Sequence, residues 1–207
     1  MKKILLLLAA LALALPTAAF AYSSFDYGNT GGTLAASNAV GPAVLMLSGS
    51  VLTTITGMPG GTPLTGSNLG SVSFTTGLLT SGSLANGGTF AAGGTFMITG
   101  NGMNGAPTGA IFTGTFTAAT WTLVTHTDGT HSYTFTGDLT GKTASGYVST
   151  GSTTVQLTVN TGLGFFNGAI GVSSGDTNIV VPEPGSLGLL GTGLIGLAGL
   201  VRRKLKV

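Results

Sequence analysis

Ala119–Asp138 reads ATWTLVTHTDGTHSYTFTGD, two runs of alternating apolar and hydroxyl residues around a single Asp-Gly pair. Alternation with period two marks a strand with one buried face, and Asp-Gly supplies a turn between two such strands. Two registers compete. A two-residue Asp128-Gly129 turn sets His126 against His131, opposes Trp121 to Thr136 and puts Tyr133 on the face away from Trp121. A three-residue loop, Thr127-Asp128-Gly129 with Gly129 left-handed as a G1 bulge, opposes Trp121 to Phe135 and Leu123 to Tyr133. That arrangement gathers all four large apolar side chains on one face. A one-residue slip reverses every side chain, so burial selects the second register. His126 and His131 then point to opposite faces, and no metal site is expected from them.

The pattern extends outward from this hairpin. Val72 and Phe74, then Phe112, Gly114, Phe116 and Ala118, then Val155, Leu157 and Val159 recur at period two with Thr or Ser between them. Asn86-Gly87, Asn101-Gly102, Asn104-Gly105 and Asn167-Gly168 punctuate the runs as turn signals. Between Tyr22 and Val180 there are 31 Gly and 32 Thr, both poor helix formers, and no sustained helical spacing. The expected fold is all-β: an antiparallel β-sandwich or barrel-like domain of short Gly/Thr-rich strands with hydroxyl-rich outer faces. An irregular β-solenoid is the alternative, because Gly88-Thr89-Phe90 recurs at Gly94-Thr95-Phe96 and Gly114-Thr115-Phe116. The spacings of six and then twenty set no regular period.

Charge is scarce and confined to the ends. Lys2, Lys3, Arg202, Arg203, Lys204 and Lys206 leave Lys142 as the only base between Tyr22 and Val180, against Asp26, Asp128, Asp138 and Asp176. One lysine cannot neutralise a run of phosphates, so nucleic acid is not an expected partner. Cysteine is absent, which excludes disulfides and thiolate chemistry.

The N-terminus has the three parts of a secretory signal: Met1-Lys2-Lys3, the apolar run Ile4–Leu15, and small residues ending in Ala19-Phe20-Ala21. Residues 1–21 are therefore expected to form a signal helix, with export by the Sec machinery and cleavage by signal peptidase between Ala21 and Tyr22. The all-β domain is expected over 22–170, and a Ser/Gly linker over 171–181.

Beyond the linker comes Val181-Pro182-Glu183-Pro184, and then the uncharged segment 186–201, whose sixteen residues would span roughly 24 Å as a transmembrane helix. The basic tail 202–207 follows, with Arg202, Arg203 and Lys204 as a membrane stop that stays cytoplasmic. Pro182 and Pro184 keep the residues before them extended. In this order and at this position the elements resemble the PEP-CTERM sorting signal of Gram-negative bacteria, over residues 182–207 with Val181 at its edge. The resemblance implies processing by an exosortase, an integral membrane transpeptidase-like protein associated with exopolysaccharide production. It makes Val181, Pro182, Glu183 and Pro184 recognised residues, with only a transient membrane intermediate before release to the cell surface or beyond.

No catalytic constellation is expected. Gly191–Gly196 fits G-x-G-x-x-G but lacks a βαβ unit and a later acidic residue. Gly171-Val172-Ser173-Ser174-Gly175 fits the nucleophile-elbow pattern, yet no histidine follows it. The interior has no Glu, its four Asp are scattered along the chain, and no cofactor is implied. The expected function is that of a non-enzymatic surface or extracellular-matrix protein, linked to exopolysaccharide or biofilm, whose many hydroxyls offer acceptors for glycosylation. A carbohydrate-binding module using Trp121, Tyr133 or Tyr147 is the alternative, although the shared apolar face makes Trp121 and Tyr133 core residues first. A secreted hydrolase comes last.

Overall fold

The structure, a computed structural model, describes residues 23–37, 43–57, 62–146 and 148–181. Among these described residues twelve strands follow one another with a single 3-10 turn at Met103–Gly105. In chain order they are β1 (Ser23–Thr30), β2 (Thr33–Ala36), β3 (Leu45–Thr56), β4 (Leu64–Thr76), β5 (Leu79–Ser83), β6 (Gly87–Phe90), β7 (Gly93–Asn101), β8 (Thr108–Thr125), β9 (His131–Thr143), β10 (Val148–Gly162), β11 (Ala169–Gly171) and β12 (Ser174–Val181).

The sheet closes on itself. Its order runs β1-β12-β10-β9-β8-β7-β4-β3, and β1 also pairs with β3, Tyr27 opposite Ile55. Short strands prolong these staves. β2 continues β1 along the edge of β3, and β11 pairs with β2 beside β12; likewise β5 continues β4, and β6 continues β7 along β8. The breaks lie side by side: the amide of Val172 donates to Gly32 O at 3.0 Å, and that of Ala91 donates to Leu78 O at 2.8 Å. The result is an eight-stave antiparallel barrel in which sequence neighbours pair and the first and last staves close the ring. The barrel, rather than the sandwich, is the observed architecture, and the solenoid is excluded by the antiparallel closure.

Eight staves leave an interior wide enough only for side chains. Phe74 stacks on Phe135 across the barrel at 4.9 Å between centroids, and Phe116 packs edge-on against both. Phe96 and Phe112 continue the plug on one side, and Phe90 on the other. The three Gly-Thr-Phe repeats thus deliver three buried phenylalanines, 90, 96 and 116, to one core. On the outside stand Thr75 opposite Thr95, and Thr115 opposite Thr140. Apolar inside and hydroxyl outside is the reverse of a lipid-facing barrel, which carries an apolar outer band. Among the described residues no helix is long and apolar enough to cross a membrane.

The opening hairpin adopts the register selected by burial. Trp121 opposes Phe135 and Leu123 opposes Tyr133. The amide of His126 donates to Thr130 O at 2.9 Å, that of Gly129 to His126 O at 3.0 Å, and Gly129 has φ 80°. Asp128 fixes the loop by accepting from both the amide and the hydroxyl of Thr130.

Two sequence expectations need correction. Ala118 is exposed and Ala119 is buried, because Thr117 is an extra residue between the pairs Phe116–Leu139 and Ala118–Asp138. This β-bulge shifts the inward phase, so that Phe112 and Phe116 precede it and Trp121 and Leu123 follow it on the same side. Residues 171–181 are not a linker. Ser174–Val181 forms β12, paired with β10 over Thr154–Asn178 to Thr158–Ser174, and Val172 and Ile179 enter the core. The Ser/Gly composition is that of a strand whose inward positions are few.

Thr177, on the inward side of β12, is fully buried, and among the described residues its hydroxyl oxygen has no hydrogen-bond partner. A buried unpaired hydroxyl costs about 1–3 kcal/mol. Thr177→Val keeps the shape and removes the hydroxyl, so we expect it to raise stability by about 1 kcal/mol, read as a higher urea midpoint at unchanged m-value.

Candidate functional site

The closing seam carries most of the chemistry that the described residues possess. β12 lies between β10 and β1, and its outward positions include Ser174, Asp176 and Asn178. Across the sheet Asp176 faces Gln156, which faces Thr136; Asn178 faces Thr154, which faces Asp138. On the other side of the seam Asp26 of β1 lies near enough for its carboxyl to act on that of Asp176. The four Asp therefore look scattered only along the chain. Barrel closure brings three of them, with the only Gln of the sequence, onto one outer face of adjacent strands.

Burial pushes the Asp176 carboxyl above the ordinary carboxylate range, and the charge and hydrogen bond of Asp26 push it the same way. A raised folded-state value means that the protonated form is favoured by folding. This contribution is full below the unfolded value of about 3.9 and is lost as pH rises through the raised one. Asp128 is the opposite case. Its side chain is fully exposed and its carboxyl is held low by the side-chain and backbone bonds from Thr130, so its contribution is present above the unfolded value and fades as pH falls through the lowered one. We expect Asp176→Asn to flatten the decline in urea midpoint as pH rises from about 4 through the raised value, with the larger gain at the higher pH. An unchanged pH profile would separate the carboxyl pair from seam stability.

The histidines do not converge. His126 meets Ser132 Oγ through Nε2 at 2.9 Å, while His131 meets Thr125 Oγ1 through Nδ1 at 3.1 Å on the other face. His131 also stacks on Phe165, centroids 4.4 Å apart. Among the described residues no group of three potential metal-ligating side chains forms.

Trp121 and Tyr133 are core residues, 1% and 0% exposed, stacked at 4.7 Å. Their polar atoms pin two loops: Trp121 Nε1 donates to Leu84 O at 2.8 Å, Tyr133 donates to Ala85 O at 2.6 Å, and the amide of Phe166 donates to the Tyr133 hydroxyl at 3.0 Å. Neither ring offers a face to a sugar. Tyr147, the third platform candidate, lies outside the described residues. A shallow depression of about 380 Å³ over β3, β4 and β7 is lined by Gly49, Ser50, Asn68, Gly70, Gly100 and Asn101 among others, none of them titratable.

Gly171–Gly175, the G-x-S-x-G pattern, spans the end of β11 and the start of β12, and the rest of β12 follows it directly as strand. The sequence-predicted processing residues Ala19, Ala21, Tyr22, Pro182, Glu183, Pro184, Arg202, Arg203 and Lys204 lie outside the described residues, as does the segment 186–201. Along the chain, β1 begins at Ser23, two residues past Ala21, and β12 ends at Val181, the residue before Pro182. Sequence reasoning missed this last strand because β12 has the composition of a linker. The signal that could have found it is Thr177-Asn178-Ile179, an alternation directly upstream of the prolines.

Residues 180–204 match the family model described as the PEP-CTERM protein-sorting motif. No curated protein and no solved structure matches the chain. The chain thus carries the sorting motif that its C-terminal residues resemble, and the motif supports an exported, exosortase-sorted protein with a cell-surface or extracellular destination. The match begins at Val180, inside β12.

Proposed function

We propose that this chain is a non-catalytic barrel exported by the Sec route, held briefly at the inner membrane by residues 186–201, and released by an exosortase as an exopolysaccharide-associated surface or matrix protein. The observation that carries the reading is the sorting-motif match over 180–204, starting where the barrel's last strand ends. The outer face supports the second half. Thr120, Thr136, Gln156 and Asp176 in one row, and Thr122, Thr134, Thr158 and Ser174 in the next, offer hydroxyl, amide and carboxyl groups at strand spacing to the hydroxyls of a polymer. The non-catalytic reading is supported by an interior without Glu and by histidines that face away from each other.

The test is genetic and biochemical. In the native host, replacing Pro182, Glu183 and Pro184 together by Ala should leave the chain in the inner membrane with Arg202–Val207 attached, whereas the parent chain should lose them. In a host strain that makes no exopolysaccharide, the processed barrel should move from the cell-associated fraction to the medium. An Ala-substituted chain released as efficiently as the parent would end the sorting reading. An unchanged distribution without exopolysaccharide would end the polymer reading alone.

A further inference from the structure

We propose that the end of the barrel formed by the loops 126–130 and 162–168 is a stacking platform for a neutral hexose polymer, with the Phe165 ring as its floor. This rests on the polymer half of the reading above and names the class of polymer and its seat. Phe165 and Phe166 are consecutive, yet they go opposite ways. Phe166 is buried, edge-on to Trp121 at 5.5 Å and to Tyr133 at 6.3 Å, and its amide donates to the Tyr133 hydroxyl at 3.0 Å. Phe165 lies flat on the His131 imidazole, centroids 4.4 Å and planes 19° apart, and is still 51% exposed. The loop that carries it is tied at both ends: the Thr161 hydroxyl donates to His131 O at 3.2 Å, and the amide of Ala36 donates to Gly168 O at 2.7 Å. A ring held in place before its ligand arrives loses little freedom on binding. Leu163, 76% exposed, flanks it and reaches the hairpin turn, its Cδ2 3.8 Å from where a Cβ on Gly129 would stand.

A pyranose has a face of C–H groups and a rim of hydroxyls. Its partner needs a flat aromatic ring, whose negative face attracts the C–H hydrogens, beside groups that donate and accept hydrogen bonds. Thr127, Asp128 and Asn167 supply those groups, exposed on the same two loops. A nucleobase would also stack, and an acidic polysaccharide would also offer hydroxyls, but both bring negative charge. Between Tyr22 and Val180 four Asp stand against one base, Lys142, which pairs with Val148 at the start of β10, whereas Phe165 follows the end of that strand. The Asp128 carboxylate likewise disfavours an anionic lipid surface, and Leu163 and Phe165 alone bury little area in one. The platform also stands apart from the sorted tail. β12 begins beside the end of β10 and runs back along it, so Val181 lies at the other end of the barrel.

The experiment is affinity electrophoresis of the chain as purified from its native host, through gels holding hydroxyethylcellulose or dextran, both neutral, or alginate, an acidic polyuronate. The parent chain should be retarded by a neutral polymer and not by alginate. Phe165→Ala should lose about ten-fold of that affinity, the size of one lost stacking contact, while Phe165→Tyr keeps the ring and stays within about two-fold of the parent. Leu78→Ala, which removes an equally exposed apolar side chain from between β4 and β5, should bind as the parent does. All three variants should keep a urea midpoint close to the parent's, which separates lost binding from lost folding. No retardation by either neutral polymer, or retardation by alginate alone, would overturn the proposal. Equal retardation of the parent and Phe165→Ala would overturn this site and leave polymer binding to the outer face. Sedimentation with phosphatidylglycerol vesicles that Phe165→Ala abolishes would assign this end to a lipid surface, and a dimer that it abolishes would assign it to a second copy; either would replace the proposal. Since the polymer is added to purified protein, failure here leaves the sorting reading untouched.

Discussion

Replacing Trp121 by Ala should destabilise the barrel by about 3–5 kcal/mol, the range for truncating a large buried aromatic side chain. Three losses combine. The cavity opens beside Tyr133, which stacks on the indole at 4.7 Å, and beside Phe166, which packs edge-on at 5.5 Å. The carbonyl of Leu84 loses its donor, Nε1 at 2.8 Å, and so the turn between β5 and β6 loses one of its two ties to the core. Trp121→Phe keeps a ring but drops the donor, so its cost should be nearer 1–3 kcal/mol. Urea unfolding followed by far-ultraviolet circular dichroism is the measurement, because both variants remove the only tryptophan of the chain. Equal costs for Ala and Phe would mean that the hydrogen bond, rather than the packing, holds this end of the barrel. A cost below about 1 kcal/mol for Ala would place Trp121 outside the core altogether.

Much of this was legible from residues 119–138. Asp128-Gly129 admitted only two short loops, and the demand that Trp121, Leu123, Tyr133 and Phe135 share a face chose between them, which also settled the histidines. Local alternation works where both strands of a pair are contiguous in sequence. It fails where phase changes inside a strand, as at Thr117, since a bulge leaves no mark in composition. It also fails for pairings that only closure creates. Asp26 and Asp176 are neighbours because β1 and β12 meet, a contact between the two ends of the barrel that no local pattern encodes. The same blindness made β12 look like a linker. The sorting motif was legible for the opposite reason: its order of prolines, apolar residues and bases is read along the chain, without any need of the fold.

Ending the chain after Ser173 should abolish cooperative folding, whereas ending it after Val181 should leave the barrel intact. The contrast isolates β12, eight residues of low apolar content. Removing them takes five cross-strand pairs from β10 and all pairing from that side of β1, and it uncovers Ile179's place in the core. Burial of one Ile accounts for about 1.5–3 kcal/mol and each lost backbone bond for about 1 kcal/mol, so the sum approaches the 5–15 kcal/mol by which a typical domain is stable. Two long edges, β1 and β10, would then be open to pairing with other chains, and aggregation is the expected fate of the shorter product. Size-exclusion chromatography and thermal unfolding decide the matter. A monomer of the shorter chain with a sharp transition near that of the longer one would show that the ring holds without its last stave.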